Sequence, residues 1–175
     1  MSLYPQISGV NYESLVDGSG VRTVIFLSGC PHHCPGCHNP ETWDDSYGKQ
    51  ITDEIVHEIA EEYCKRYSYL SGITLSGGDP LWHPERTLYF YEKLTKEIAS
   101  LMGENTEKIN LWIYTGYTFS QLQKRRNSEP ELATILDKYA DVIVDGPFIK
   151  DLADKRLAFR GSSNQKIIHL NKDIE

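Results

Sequence analysis

The chain has 175 residues, of which 39% are hydrophobic and 25% charged. That is the size and make-up of one globular domain, spanning 1–175, which buries roughly 70% of its unfolded surface and needs no disulfide or metal to fold. A net charge of −7 argues against nucleic-acid binding through bulk electrostatics, and the longest apolar runs, such as Val24 to Leu27, are far too short to span a membrane. Residues 1–11 hold no basic stretch leading into an apolar one, so no signal peptide is expected and the protein is placed in the cytoplasm.

In chain order, Val21 to Leu27 is β-branched and apolar and reads as a buried strand. A loop rich in Gly, Pro, His and Cys follows, to about Gln50. Thr52 then suits a helix N-cap, with Asp53 and Glu54 in the first turn, where the helix dipole favours acids. Ile55, Ile59 and Tyr63, flanked by Val56, Ala60 and Tyr67, mark the inner face of that helix. Gly72 to Ser76 forms a second strand, ending on Gly77-Gly78-Asp79-Pro80. A second helix starts near Pro84 or Glu85, with Leu88, Tyr91, Leu94, Ile98 and Leu101 as its apolar stripe. Asn110 to Tyr114 is a third strand, ending on Thr115-Gly116-Tyr117. A helical region from Thr118 to Tyr139 breaks near Pro130. Asp141 to Val144 is a fourth strand, ending on Asp145-Gly146-Pro147, and Lys166 to His169 is a short strand candidate.

Alternating strands and helices predict an α/β fold with a parallel sheet and helical crossovers. Four or five such units are too few for an eight-stranded barrel, so a half-barrel or open curved sheet is expected. In parallel α/β folds ligands bind at the carboxyl ends of the strands, and here four glycine-bearing loops point to that one edge.

Three of the four cysteines fall within eight residues, as Cys30-Pro-His-His-Cys34-Pro-Gly-Cys37. In a reducing compartment this crowding reads as metal or redox chemistry rather than a disulfide framework. Thiolates bind iron–sulfur clusters and zinc. A four-iron cluster normally takes four cysteines, so three in one loop would leave one iron open to a substrate. Zinc is the alternative, with His32, His33 or His38 completing a Cys3His site. Cys64 stands alone within an amphipathic helix and reads as a small buried hydrophobe. Lys150, Lys155, Arg156, Arg160 and Lys166 gather near the C-terminus among Asp151 and Asp154, the pattern of a solvated surface, with docking on an acidic partner as the alternative.

The C-x3-C-x2-C spacing after a first strand resembles the signature of radical S-adenosylmethionine enzymes. Asp17-Gly-Ser-Gly-Val-Arg22-Thr, Phe26-Leu-Ser-Gly-Cys30-Pro and Cys37-His-Asn-Pro40 narrow the resemblance to the glycyl-radical-enzyme activases. Ser76-Gly-Gly-Asp-Pro80-Leu, Tyr114-Thr-Gly-Tyr117, Val144-Asp-Gly-Pro-Phe148 and Arg160-Gly-Ser-Ser-Asn-Gln165 look like the branch that serves anaerobic ribonucleoside-triphosphate reductase. The likeness runs from about Asp17 to Ile168. It implies a radical S-adenosylmethionine core as the fold, and an oxidoreductase as the activity. Cys30, Cys34 and Cys37 would hold a [4Fe-4S] cluster with one open iron. The cluster, reduced by a flavodoxin-like donor, would split S-adenosylmethionine, and the resulting 5′-deoxyadenosyl radical would take a hydrogen atom from a glycine of the reductase.

By motif position, Gly36, Cys37 and His38 fall where the family contacts the adenosyl group, although many relatives carry an aromatic residue where this chain has Gly36. Gly77, Gly78 and Asp79 resemble the strand end that holds the methionine ammonium. The residues agree chemically: glycines let backbone carbonyls come close to a ligand, and a carboxylate suits an ammonium. Activases of other glycyl radical enzymes, such as pyruvate formate-lyase, share the cysteine words but have longer chains. A radical enzyme acting on a small molecule, such as the deazaguanine carboxylate synthase, is a further option, and a zinc-stabilised binding module is the reading from a different class. Neither a nucleic-acid nor a membrane partner is expected, on the charge and the short apolar runs. Arg22, inside the first strand, would either pair with an acid or be exposed.

Overall fold

The computed structural model describes residues 2–103 and 106–170. It is an α/β fold built on one mixed seven-stranded sheet. The elements in order are β1 (Gln6–Ser14), β2 (Arg22–Leu27), β3 (Lys49–Gln50), α1 (Asp53–Arg66), β4 (Gly72–Gly77), α2 (Pro84–Met102), β5 (Leu111–Tyr114), α3 (Phe119–Arg125), α4 (Pro130–Thr134), β6 (Ala140–Asp145) and β7 (Lys166–His169). The strands lie in the order β3-β1-β2-β4-β5-β6-β7. The run β2-β4-β5-β6 is parallel, each strand beside its predecessor and joined to it by a helical connection. No helix among the described residues is long and apolar enough to cross a membrane.

The expectation of a wholly parallel sheet is corrected at the edges, where β1, β3 and β7 run antiparallel to their neighbours. Connection length explains the first case. The 15–21 link between β1 and β2 is a short loop, and a parallel crossover needs about a dozen residues or more. After β6, the 146–165 segment contains one 3-10 turn, Lys150–Leu152, and no α-helix to carry the chain back over the sheet.

Period-two alternation divides the sheet into unequal faces. Ile25, Leu27, Ile73, Leu75, Leu111, Ile113 and Ile143 face the main core. There they meet Val56, Ile59, Ala60 and Tyr63 of α1 and Phe90, Tyr91, Leu94 and Ile98 of α2. The other face has only a small apolar cluster of Trp112, Val142 and Val144, capped by Tyr114, Phe159 and Ile167. Loops cover this second face. Thr52 caps α1 by accepting the Ile55 amide. Thr118 and Gln121 form a reciprocal capping box at α3. Pro130 sits in the first turn of α4, which places the break in the third helical region just before it. One stripe position differs: Leu101, in the last turn of α2, turns to solvent, while Thr87 and Phe90 are buried.

Arg22 is neither exposed nor paired with an acid. Its side chain is among the most deeply buried in the protein. Nε donates to Thr74 Oγ1 at 2.9 Å, Nη2 to the carbonyls of Ile73 and Asn110 at 2.8 Å each, and Nη1 to the Ser19 carbonyl at 3.2 Å. The guanidinium also stands 5.5 Å from the Trp112 ring centre. Burial pulls it down to about 10, so it stays charged at neutral pH. These bonds join the entry ends of β2, β4 and β5 to the 15–21 loop, whose Asp17 carbonyl accepts from Thr74 Oγ1. Replacing Arg22 by Met removes four charge-assisted bonds and is expected to lower the unfolding free energy by about 2 kcal/mol. Urea denaturation checks this, and an unchanged midpoint would contradict the role given to the guanidinium.

Candidate functional site

The carboxyl ends of the four parallel strands surround a cleft of about 210 Å³. Cys30, Cys34 and Cys37 border it, with His38, Trp43, Ser76, Gly77, Gly78, Tyr114, Thr115, Gly116, Gly146 and Phe148; Gly161 and Gln165 close it from the C-terminal side. The chain therefore gathers the three sequence-predicted thiols with the ends of β4, β5 and β6. A recess of about 480 Å³ lies at the opposite, entry end of the sheet, around Tyr67, Ser71 and Asn110, and no cysteine or histidine lines it.

Backbone bonds hold the cysteine loop. Gly29 N donates to Thr42 O at 2.7 Å, Cys30 N to Trp43 O at 3.2 Å and Cys37 N to Cys34 O at 3.0 Å. The 3-10 turn Pro40–Trp43 supplies the first two acceptors. The loop is joined to the end of β4, because Asp79 N donates to Gly29 O at 2.7 Å. This contact explains Gly78: a Cβ there would lie 2.4 Å from Gly29 O and 2.9 Å from Thr42 O. Gly77 has φ +103°, and a Cβ would meet Leu27 O at 2.3 Å. Both glycines line the cleft, so it is bounded by bare backbone at that point.

All four cysteines are free thiols and partly buried. Burial pushes the Cys30 thiol up to about 11. Cys64 packs against the main core from α1, away from the cleft. His32 and His38 also line the cleft, and each of the loop's three histidines has a partner. His32 meets Asp79 at 2.7 Å, His33 stacks on Trp43 with ring centres 4.7 Å apart, and His38 faces Phe148 at 5.6 Å. Among the described residues no three His, Cys, Asp or Glu side chains converge as a metal-ion site. Three thiols beside one cleft are the donor set that both iron–sulfur clusters and zinc take.

Two sequence-predicted contacts are placed differently. The Asp79 side chain is fully buried and does not line the cleft. Its oxygens accept from Leu81 N, Thr115 Oγ1 and Gly116 N at 2.9 Å each, besides His32. A ligand ammonium would have to displace one of these donors. Gly36, at φ +79°, adjoins Lys150 and Phe148, each 3.4 Å from where a Cβ would stand, and it too lies outside the lining. Asp145 is buried and accepts from Phe119 N at 2.8 Å and Lys166 N at 2.9 Å, so it fastens α3 and β7 to the end of β6. Tyr114, Phe148, Gly161 and Gln165 join the cleft although sequence reasoning gives them no role. Their signal lies in the Tyr-Thr-Gly-Tyr, Val-Asp-Gly-Pro-Phe and Arg-Gly-Ser-Ser-Asn-Gln words, but nothing local in the sequence assigns them a wall.

A family model described as "4Fe-4S single cluster domain" matches residues 16–168. The chain is also similar to the anaerobic ribonucleoside-triphosphate reductase-activating protein of Escherichia coli K12, at 36% identity over 160 residues, covering 89% of this chain and 93% of that protein. The protein of that name from Enterobacteria phage T4 is 36% identical over 163 residues, covering 90% and 93%. The one from Haemophilus influenzae is 36% identical over 162 residues, covering 89% and 91%.

In the metal-free protein, a Cys30 thiol raised to about 11 leaves roughly one molecule in a thousand as thiolate at pH 8. Iodoacetamide is expected to label Cys30 on the order of a hundredfold more slowly than a free cysteine, with the rate rising as pH climbs from 9 to 11. Peptide mapping after timed quenching measures this. A rate equal to that of free cysteine would show that the thiol is not held in the buried position described.

Proposed function

Since the chain belongs to the family of anaerobic ribonucleoside-triphosphate reductase-activating proteins, we propose that it is a radical S-adenosylmethionine activase that places a glycyl radical on such a reductase. The observation that carries this reading is the meeting of Cys30, Cys34 and Cys37 with the glycine-walled end of β4 in one cleft. The four consecutive parallel strands with helices on one face support a partial-barrel core on a single domain. The unpaired outer edges of β3 and β7 are compatible with the open groove that a protein loop needs as substrate.

Cys30, Cys34 and Cys37 would hold a [4Fe-4S] cluster and leave one iron to S-adenosylmethionine. Such a cluster, reduced by a flavodoxin-like donor, would supply the electron for reductive cleavage of the S-adenosylmethionine sulfonium, the chemistry from which a hydrogen-abstracting 5′-deoxyadenosyl radical would come. The chain's own work is to position and to shield. The backbone at Ser76, Gly77 and Gly78 lines the cleft and its carbonyls suit an ammonium, while the missing Cβ atoms let Leu27 and the cysteine loop pack against that strand end. The rings of His38 and Phe148, both in the cleft lining, suit the flat adenine. The half-buried cysteine loop keeps water from a reactive radical.

Anaerobic reconstitution with iron and sulfide, followed by electron paramagnetic resonance of the reduced protein with and without S-adenosylmethionine, tests the reading. A four-iron signal that changes on adding the cofactor, and a glycyl radical on the reductase in the complete mixture, are the expected results. Cys30→Ala, Cys34→Ala and Cys37→Ala should each reduce radical formation to background, while Cys64→Ala should retain it. A colourless protein with tightly bound zinc, or a cluster indifferent to the cofactor, would overturn the proposal.

A further inference from the structure

His32 lies midway between Cys30 and Cys34 and borders the cleft, and its ring packs on the loop that follows β5. Its Nε2 lies 2.7 Å from Asp79 Oδ2, a distance at which a ring N–H donates to a carboxyl oxygen. The ring meets Tyr117 edge-on at 4.5 Å, and Tyr117 lies beneath the Arg125 guanidinium at 4.3 Å. Gly116 is glycine for the same reason: a Cβ there would fall 2.3 Å from His32 Cδ2. Asp79 receives, besides His32, the Leu81 amide from its own loop and both the Thr115 hydroxyl and the Gly116 amide from the β5 loop. A carboxylate has about four lone-pair sites, and all of these are filled from within the protein. A buried charge is tolerated when it is hydrogen-bonded in this way.

We infer that His32 and Asp79 form a latch that clamps the Cys30–Cys34 arm of the cysteine loop against the ends of β4 and β5. Asp79 is thereby a positioning residue for the metal-binding loop and not the group that binds the cofactor's ammonium. The inference rests on the reading of the three cysteines as cluster ligands, but its first test does not need the cluster.

In the metal-free protein, the rate at which Cys34 is alkylated reports how often its arm leaves the sheet, and Cys64 reports whether the remainder stays folded. His32→Ala and Asp79→Ala are each expected to speed Cys34 labelling about tenfold, the equilibrium equivalent of losing one charge-assisted hydrogen bond, with Cys64 unchanged. Because Asp79 also accepts from Leu81, Thr115 and Gly116, its variant can exceed His32→Ala; the two are coupled through their shared bond, so the double variant should be no faster than Asp79→Ala alone. His32→Gln, which restores an N–H donor, should return the rate towards the wild-type value. If Asp79→Ala does not fold, the His32→Ala and His32→Gln pair carries the test by itself.

In the reconstituted protein, both single variants should shift the cluster's midpoint potential in the same direction and weaken S-adenosylmethionine binding to the same extent. The latch is refuted if Asp79 variants weaken cofactor binding while His32→Ala leaves Cys34 labelling, potential and affinity untouched. A wild-type protein that takes up no cluster would sink the functional reading and leave the labelling result to decide the latch.

Discussion

The guanidinium of Arg22 is the fastening on which the sheet depends. It is a cation inside the protein with no carboxylate partner among the described residues. Backbone carbonyls, one hydroxyl and an aromatic face balance it instead. Those acceptors belong to β4, to the residue before β5 and to the 15–21 loop. The charge can be solvated only when these segments are in register, because a buried charge without its hydrogen bonds is far more costly than the bonds are worth. Register at the entry ends fixes the opposite ends through the ladders β2–β4 and β4–β5, and the cleft lies at those opposite ends. Asp79 is the counterpart there: a buried carboxyl group held by donors from its own loop and the β5 loop, and by His32. A guanidinium and a carboxyl group thus pin the two ends of the same sheet, each satisfied by the protein itself.

The two faces of the sheet divide the work between stability and chemistry. The helical side has a broad apolar core, and most of the burial that offsets chain entropy occurs there. The other side has a cluster of three buried apolar residues and a covering of loops. Helices on that side would have filled the space the cleft occupies. Close packing marks the same edge: Gly77 admits the Leu27 backbone, Gly78 the backbone of the cysteine loop, and Gly116 the ring of His32.

Much of this was legible in the sequence because it is local. The strands β2, β4, β5 and β6 announce themselves by β-branched runs. The Thr52 cap and the Pro130 break are written in single residues, and the three cysteines lie in one short word. The edges were harder. Strand β1 carries Gly9 and several polar residues and is only partly buried, so no alternation marks it. Strand β3 has two residues and no pattern at all. The direction of β7 depends on the absence of a crossover helix, which a strand's own residues do not encode. The hardest was the pairing of His32 with Asp79, separated by 47 positions. A histidine between two cysteines suggests a metal ligand and an aspartate after two glycines suggests a substrate contact, and neither residue signals that the other is its partner. Arg22 is similar: its acceptors are main-chain oxygens, which have no identity in a sequence.

The strand order bears on how the molecule is made. From β1 to β2, and then through β4, β5, β6 and β7, each strand lies beside one already synthesised, so a chain leaving the ribosome can add strands to a growing edge without waiting for its end. The cysteine arm does not share this timing. Its thiols are made early, whereas the groups that enclose His32 belong to 115–117, about two thirds of the way along. During translation the thiols are therefore out before the wall that shelters them. An organism that lives with oxygen nearby would gain by completing this domain quickly, and by loading metal only after the β5 loop has closed.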